Sequence, residues 1–120
     1  MIDVRIPSVD LDSYDEQFTG EYWIDDKRIY KKTLSTGALP NNATSETLHN
    51  ISNIDKIVAI TGMAYPTNNP TFLPLPFAIN VLTQTVSLYA DRAKVFLVTG
   101  MNRNSYNNSI VTLYYTKTTD

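Results

Sequence analysis

Apolar and polar residues alternate in short runs that break at Pro, Gly or Asn, and wherever a run is long enough to read its period is close to two. Successive side chains on a strand point to opposite faces, so this pattern predicts half-buried strands. Glu21-Tyr22-Trp23-Ile24, then Asp25-Asp26, then Lys27 to Leu34 reads as an antiparallel hairpin with a tight acidic turn. Thr36 to Asn42 is a loop by its Gly, Pro and paired Asn, and alternation resumes over Ser45 to His49. Asn50 to Asp55 reads as a turn that drops Ile51 and Ile54 into the core, and it leads into Lys56 to Tyr65, the best central-strand candidate.

Pro66 to Pro70 is a loop by composition. Pro74 and Pro76 confine Phe72 to Phe77 to an edge or an irregular crossing, because proline has no N–H to give a ladder. Further strands are expected at Ala78 to Leu82, Thr85 to Tyr89 and Lys94 to Thr99, with Thr83-Gln84 and Asp91-Arg92 as connections. Gly100 to Asn107 is the longest late loop, and Ser109 to Lys117 is the last strand. About seven to nine short strands predict an all-β fold, an antiparallel β-sandwich of jelly-roll or Ig-like Greek-key type. Pro, Gly, Asn and β-branched residues interrupt every window that might hold a helix.

At 120 residues the chain suits one domain, and its 42% apolar content supplies a core without a metal or disulfide staple. The absence of Cys excludes disulfides, thiolate chemistry and cysteine zinc sites. Charge is uneven: residues 1 to 26 hold eight acids and one base, while residues 27 to 120 hold four acids and nine bases. Residues 1–17, with Asp10, Asp12, Asp15, Glu16 and Pro7, read as an acidic extended leader, and residues 18–120 as the sandwich. Lys27, Arg28, Lys31 and Lys32 alternate within one strand and the other bases are scattered, so no nucleic-acid stripe is expected. No apolar run approaches the roughly 18 residues of a membrane span, and Met1 to Pro7 does not read as a secretory signal.

Acid–base chemistry needs titrating groups placed together, and here there is one His and three Glu. His49, beside a turn, reads as a hydrogen-bonded structural residue in preference to a base. Asp25-Asp26 reads as a solvated turn in preference to a dyad. No spaced D-x-D-x-D-G calcium loop occurs, and the four glycines are too dispersed for a phosphate loop, so no catalytic set, metal or cofactor is expected. The sequons at Asn42, Asn50 and Asn107 are read as chance matches.

Binding without catalysis asks for less. Sugar rings stack their C–H faces on aromatics while their hydroxyls bond amides and carboxylates. Two loop clusters supply those groups: Tyr65, Asn68, Asn69 and Phe72, and then Asn102, Arg103, Asn104, Tyr106 and Asn107. The plainer reading is that Asn-rich loops are what turns require and that the aromatics pack inward. Trp23, on a paired strand, is expected in the core or at a subunit interface.

The run Tyr14-Asp15-Glu16-Gln17, followed by Gly20-Glu21-Tyr22-Trp23-Ile24-Asp25-Asp26-Lys27-Arg28-Ile29-Tyr30-Lys31-Lys32, resembles a recurring opening in bacteriophage and prophage tail proteins. His49 to Val58 is similar to that family's turn-and-strand segment, and Leu113 to Asp120 resembles its usual ending. Asp26 stands where that pattern commonly has Gly, and Arg28 where it commonly has Pro. The resemblance implies a C-terminal β-sandwich module of a tail fibre, baseplate or receptor-binding protein. Such a module would reside in the virion tail and act outside the host cell.

Three functions follow as expectations. The first is host recognition by a homotrimer that binds a bacterial cell-surface polysaccharide through its loops. The second is a structural or trimerisation module that contacts other phage tail proteins, with Phe72 to Phe77 as an intersubunit surface. An enzyme, the third and least favoured, would need two carboxylates converging in a cleft, for instance Glu46 with Asp55 or Asp91.

Overall fold

The structure, a computed structural model, describes residues 14–120, so most of the expected leader lies outside the described residues. The strands are β1 (Gln17–Tyr22), β2 (Arg28–Ser35), β3 (Thr44–Leu48), β4 (Ile54–Tyr65), β5 (Leu73–Leu75), β6 (Val86–Ala90), β7 (Lys94–Thr99) and β8 (Asn108–Lys117). They form two antiparallel sheets, a five-stranded one in the order β1-β2-β8-β4-β5 and a three-stranded one in the order β3-β7-β6. The expected all-β sandwich is what the chain builds.

The last strand sits in the middle of the larger sheet. With β2 on one side and β4 on the other, both edges of β8 are hydrogen-bonded. Its inward residues Val111, Leu113 and Tyr115 are fully buried. They meet Val95 of the smaller sheet and Leu34, Ile51 and Ile54 in one apolar cluster. A second cluster joins Leu39, Ala64, Leu73, Leu75 and Tyr106 to Val86 and Leu97 of the smaller sheet. Each fully buried aliphatic side chain contributes roughly 1.5–3 kcal/mol, so these two clusters hold the sheets together.

Ile51 and Ile54 fall inward as the turn reading requires, and Asn50 and Asn53 supply the left-handed residues, with φ of 56° and 59°. Asn tolerates that conformation better than other L-residues because its side chain bonds its own backbone neighbours. Pro74 lies in β5, at the edge of the larger sheet, where a missing N–H costs no ladder bond. On β4, opposite Leu75, Gly62 lies close to β8: an added Cβ would stand 2.9 Å from the Ile110 carbonyl oxygen.

Three local expectations need correction. The strand of the first hairpin begins at Gln17 rather than Glu21. Its turn is also longer than Asp25-Asp26: Trp23 N–H donates to the Lys27 carbonyl at 2.8 Å and Asp26 N–H to the Trp23 carbonyl at 2.9 Å. The loop is therefore Ile24, Asp25 and Asp26, and Asp26 takes the positive φ of 66° that such loops place at their last residue. Finally, Ala78 to Leu82 is not a strand, and the expected connection Thr83-Gln84 belongs to a short 3-10 turn, Leu82–Gln84. This segment carries the chain from the edge of one sheet to the edge of the other. Ile79, Val81 and Leu82 remain exposed there.

Candidate functional site

The two loop clusters read from the sequence meet different fates. Tyr65, half-buried, packs edge-on against Phe72 at 5.6 Å, and Phe72 is 62% exposed. Asn68 and Asn69 are exposed beside them, although the Asn69 side chain is already engaged as the acceptor for Thr71 N–H. Tyr106, by contrast, is only 7% exposed and belongs to the second core cluster, so its ring offers no stacking face to a ligand. Its backbone is bonded on both sides, receiving Leu39 N–H and donating to the Arg103 carbonyl.

The rest of the second cluster is largely occupied with holding its own loop. Arg103 donates from its guanidinium to the Gln84 carbonyl and lies over the Phe77 ring at 5.7 Å. The Asn102 side chain accepts Asn104 N–H at 2.9 Å. Asn104 and Asn107 are exposed. Thus Phe72, with Tyr65, is the accessible aromatic element among the sequence candidates.

A larger concavity lies on the outer face of the five-stranded sheet. The registers Thr33↔Thr112↔Thr61 and Lys31↔Tyr114↔Ala59 set these side chains on the face away from the core, since Leu34, Val111 and Leu113 point the other way. Along the upper half, Tyr14, Met63 and Tyr65 wall a cavity of about 490 Å³ above Thr33, Thr61 and Thr112. Thr33 and Thr112 share a hydroxyl–hydroxyl bond of 2.8 Å on its floor. In the lower half, Trp23, Ile29 and Tyr114 wall a cavity of about 560 Å³ that also takes in Thr19, Glu21 and Lys31. A bulge in the β4–β8 ladder turns Val58 onto this face beside Ala59. Trp23 is therefore a half-buried wall of a groove and not a core residue.

The inner face of the same sheet carries a second aromatic feature. Tyr115, Tyr30, Phe18 and Tyr22 form a continuous ladder with ring centroids 6.1, 6.1 and 5.8 Å apart. Tyr115 is covered by the smaller sheet, but the ladder runs outward beyond it: Phe18 is 44% and Tyr22 61% exposed. Arg28 lies over Phe18 at 5.7 Å and Lys117 over Tyr30 at 5.5 Å. At the outer end, Tyr22, Asp26, Arg28, Thr119 and Asp120 enclose an open cleft of about 410 Å³.

Below the ladder, the Tyr115 hydroxyl donates to Glu16 Oε1 at 2.6 Å, and Lys117 Nζ reaches both Glu16 oxygens at 2.9 and 3.0 Å. Burial pulls the Glu16 pKa upward more than any one partner pulls it down, yet Tyr115, Lys117 and Lys32 together leave it below the ordinary range. The Tyr115 hydroxyl is pushed the opposite way, first by burial and then by its bond to that carboxylate.

His49, the single imidazole, is buried. Its Nδ1 accepts Ile51 N–H at 3.1 Å, which leaves Nε2 to donate to the Asp91 carbonyl at 3.0 Å. Nδ1 thus holds the turn that follows β3, and Nε2 ties it to the turn before β7. The carboxylates weighed for an enzyme are each already engaged by neighbouring groups. Glu46 bonds Lys94 at 2.8 Å, and Asp91 accepts the Ala93 and Lys94 amides. Asp55 holds Lys27 at 2.9 Å and Lys56 at 3.1 Å, and those two ammonium groups bring its pKa down to about 2.

Two surfaces of the larger sheet therefore combine aromatic rings with hydroxyls and charge, and the sequence reading singled out neither as a whole. Alternation marks Thr33, Thr112 and Tyr114 as one face, but nothing local says that this face is concave. Comparison with family models, curated proteins and solved structures finds no match to this chain.

Proposed function

We propose that this domain is a saccharide-binding module of a bacteriophage tail protein, acting at the surface of the bacterial host and taking a glycan chain along the outer face of its larger sheet. The observation that carries the reading is the paired groove, about 490 and 560 Å³. Tyr14, Tyr65, Trp23 and Tyr114 stand along its length, with the exposed Thr61 and the half-buried Thr19 between them above the buried Thr33 and Thr112. Aromatic faces alternating with hydroxyls suit a polymer whose units each offer an apolar ring face and a rim of hydroxyls. The tail assignment rests on the motif from Tyr14 to Lys32, and a homotrimer would multiply weak single contacts through avidity.

The test is binding of the fluorescently labelled domain to a panel of intact bacteria, competed by free cell-wall polysaccharide. Saturable, competed binding to one strain is expected, and Tyr114→Ala should weaken it by about tenfold, or about 1.4 kcal/mol. Undiminished binding by a folded Tyr114→Ala variant would remove the groove from the account.

A structural role in the tail is the second reading, favoured by the apolar residues left in the open. Leu48 and Tyr89 are exposed on the outer side of the smaller sheet, and Leu82 on the crossing segment. Exposed apolar groups of this size mark protein contacts. A solution mass near the 13.5 kDa of a single chain at high concentration would count against it.

A further inference from the structure

We infer that the overhanging end of the aromatic ladder is a second and separate binding site, which takes a single neutral pyranose unit. Its floor is the exposed Tyr22, braced edge-on by Phe18 behind it, and its rim is Asp26, Arg28, Thr119 and Asp120. The site lies on the inner face of the larger sheet, at the β1–β2 edge where Phe18 and Tyr22 are left exposed. It therefore stands whether or not the outer groove is occupied.

The chemistry of the rim selects the ligand. A sugar ring laid on Tyr22 presents its C–H face to the aromatic and its hydroxyls to the edge. There the carboxylates of Asp26 and Asp120 accept, and the Arg28 guanidinium donates as a planar fork. Neighbouring hydroxyls of a pyranose match that sequence of acceptor, donor and acceptor. The volume of about 410 Å³ lies toward the small end of ligand sites, which suits a terminal unit better than a long chain.

The rim is also pre-arranged. Asp120 Oδ1 accepts the Tyr30 hydroxyl at 3.2 Å, and Arg28 is steered over Phe18. Asp26 is fixed at the end of the hairpin loop by its own N–H bond to the Trp23 carbonyl. Two carboxylates against one guanidinium leave the rim with a net negative charge, which disfavours phosphate and sulfated sugars.

The experiment is an amide NMR titration of the 120-residue chain with the methyl pyranosides of glucose, galactose and N-acetylglucosamine, with inorganic phosphate as the anionic control. At least one pyranoside is expected to shift the amides of Tyr22, Asp26, Arg28 and Thr119 at millimolar concentration, with Thr61, Met63 and Ile110 of the outer groove unmoved. Tyr22→Ala should weaken that response by about tenfold while leaving the dispersed spectrum of the folded chain intact. Asp26→Asn keeps a residue that tolerates positive φ and should weaken it several-fold. Absence of rim shifts with every sugar would overturn the site, as would equal shifts in Tyr22→Ala or tighter binding of phosphate. Shifts confined to Thr61, Met63 and Ile110 would overturn it as well and leave the groove reading standing.

Discussion

The outer faces of the two sheets are built to different ends. On the smaller sheet the side chains satisfy one another: Glu46 pairs with Lys94 at 2.8 Å, and Tyr89 stacks on Phe96 with centroids 4.8 Å apart. The larger sheet instead lays threonines beneath widely spaced aromatic walls and leaves two cavities between them. Its inner face is unequal too, since five strands face three and the aromatics of the β1–β2 edge stay exposed while Tyr115 is buried. The aromatic shelf arises where the larger sheet exceeds what its partner can bury, and the groove where its outer face spaces its aromatics apart. On the outer face of the smaller sheet the same aromatic and charged residue types engage each other.

The contrast is sharpest in stability. Leu113→Ala, in the shared core, should cost about 3 kcal/mol, while Tyr89→Ala on the outside of the smaller sheet should cost less than about 1 kcal/mol. Urea melts of both variants check this, and comparable losses would mean that the smaller sheet's outer face is structural. Next in size is Tyr115→Phe, which keeps the ring in the ladder and removes the hydroxyl bonded to Glu16. About 1 kcal/mol should be lost, with the Phe18–Tyr22 overhang unchanged by NMR.

The smallest effect concerns pH. Asp55 sits among Lys27 and Lys56, and its pKa is lowered from 3.8 to about 2. A carboxylate depressed in the folded state adds stability above its unfolded pKa, and this is lost as pH falls through the folded value. These ion pairs should therefore persist at pH 4 and disappear toward pH 2. Carboxyl carbon NMR of Asp55 follows the titration directly, and a midpoint near 4 would show that neither lysine holds it.

Much of the architecture was legible along the chain. Alternation located β2, β4, β6, β7 and β8 within a few residues. The two Asn turns explained Ile51 and Ile54, and the prolines marked β5 as an edge strand. Ala78 to Leu82 misled because its apolar residues suggested burial, whereas the segment spans from one sheet to the other and leaves Ile79, Val81 and Leu82 exposed. Tyr106 misled in the opposite sense. Its Asn-rich surroundings describe a surface loop, but the distant loop carrying Leu39 bonds to it and its ring turns into the core. Trp23 was expected in the core or at a subunit interface, and the hairpin loop places it not in the core but at the wall of the outer groove.

By itself the sequence determined most of the strand segments and the breaks between them, and, having no Cys, that no disulfide or thiolate takes part. Those are properties of neighbouring residues, set by backbone sterics, proline's missing donor and side-chain periodicity. Only the tertiary structure decided which side of each strand meets the other sheet, and that five strands face three. Alternation divides a strand into two faces but gives neither a partner. The partner is chosen by pairings between distant segments, β2 with β8 and β4 with β8 above all, and it is their outcome that leaves a threonine-floored groove on one face and an aromatic shelf on the other.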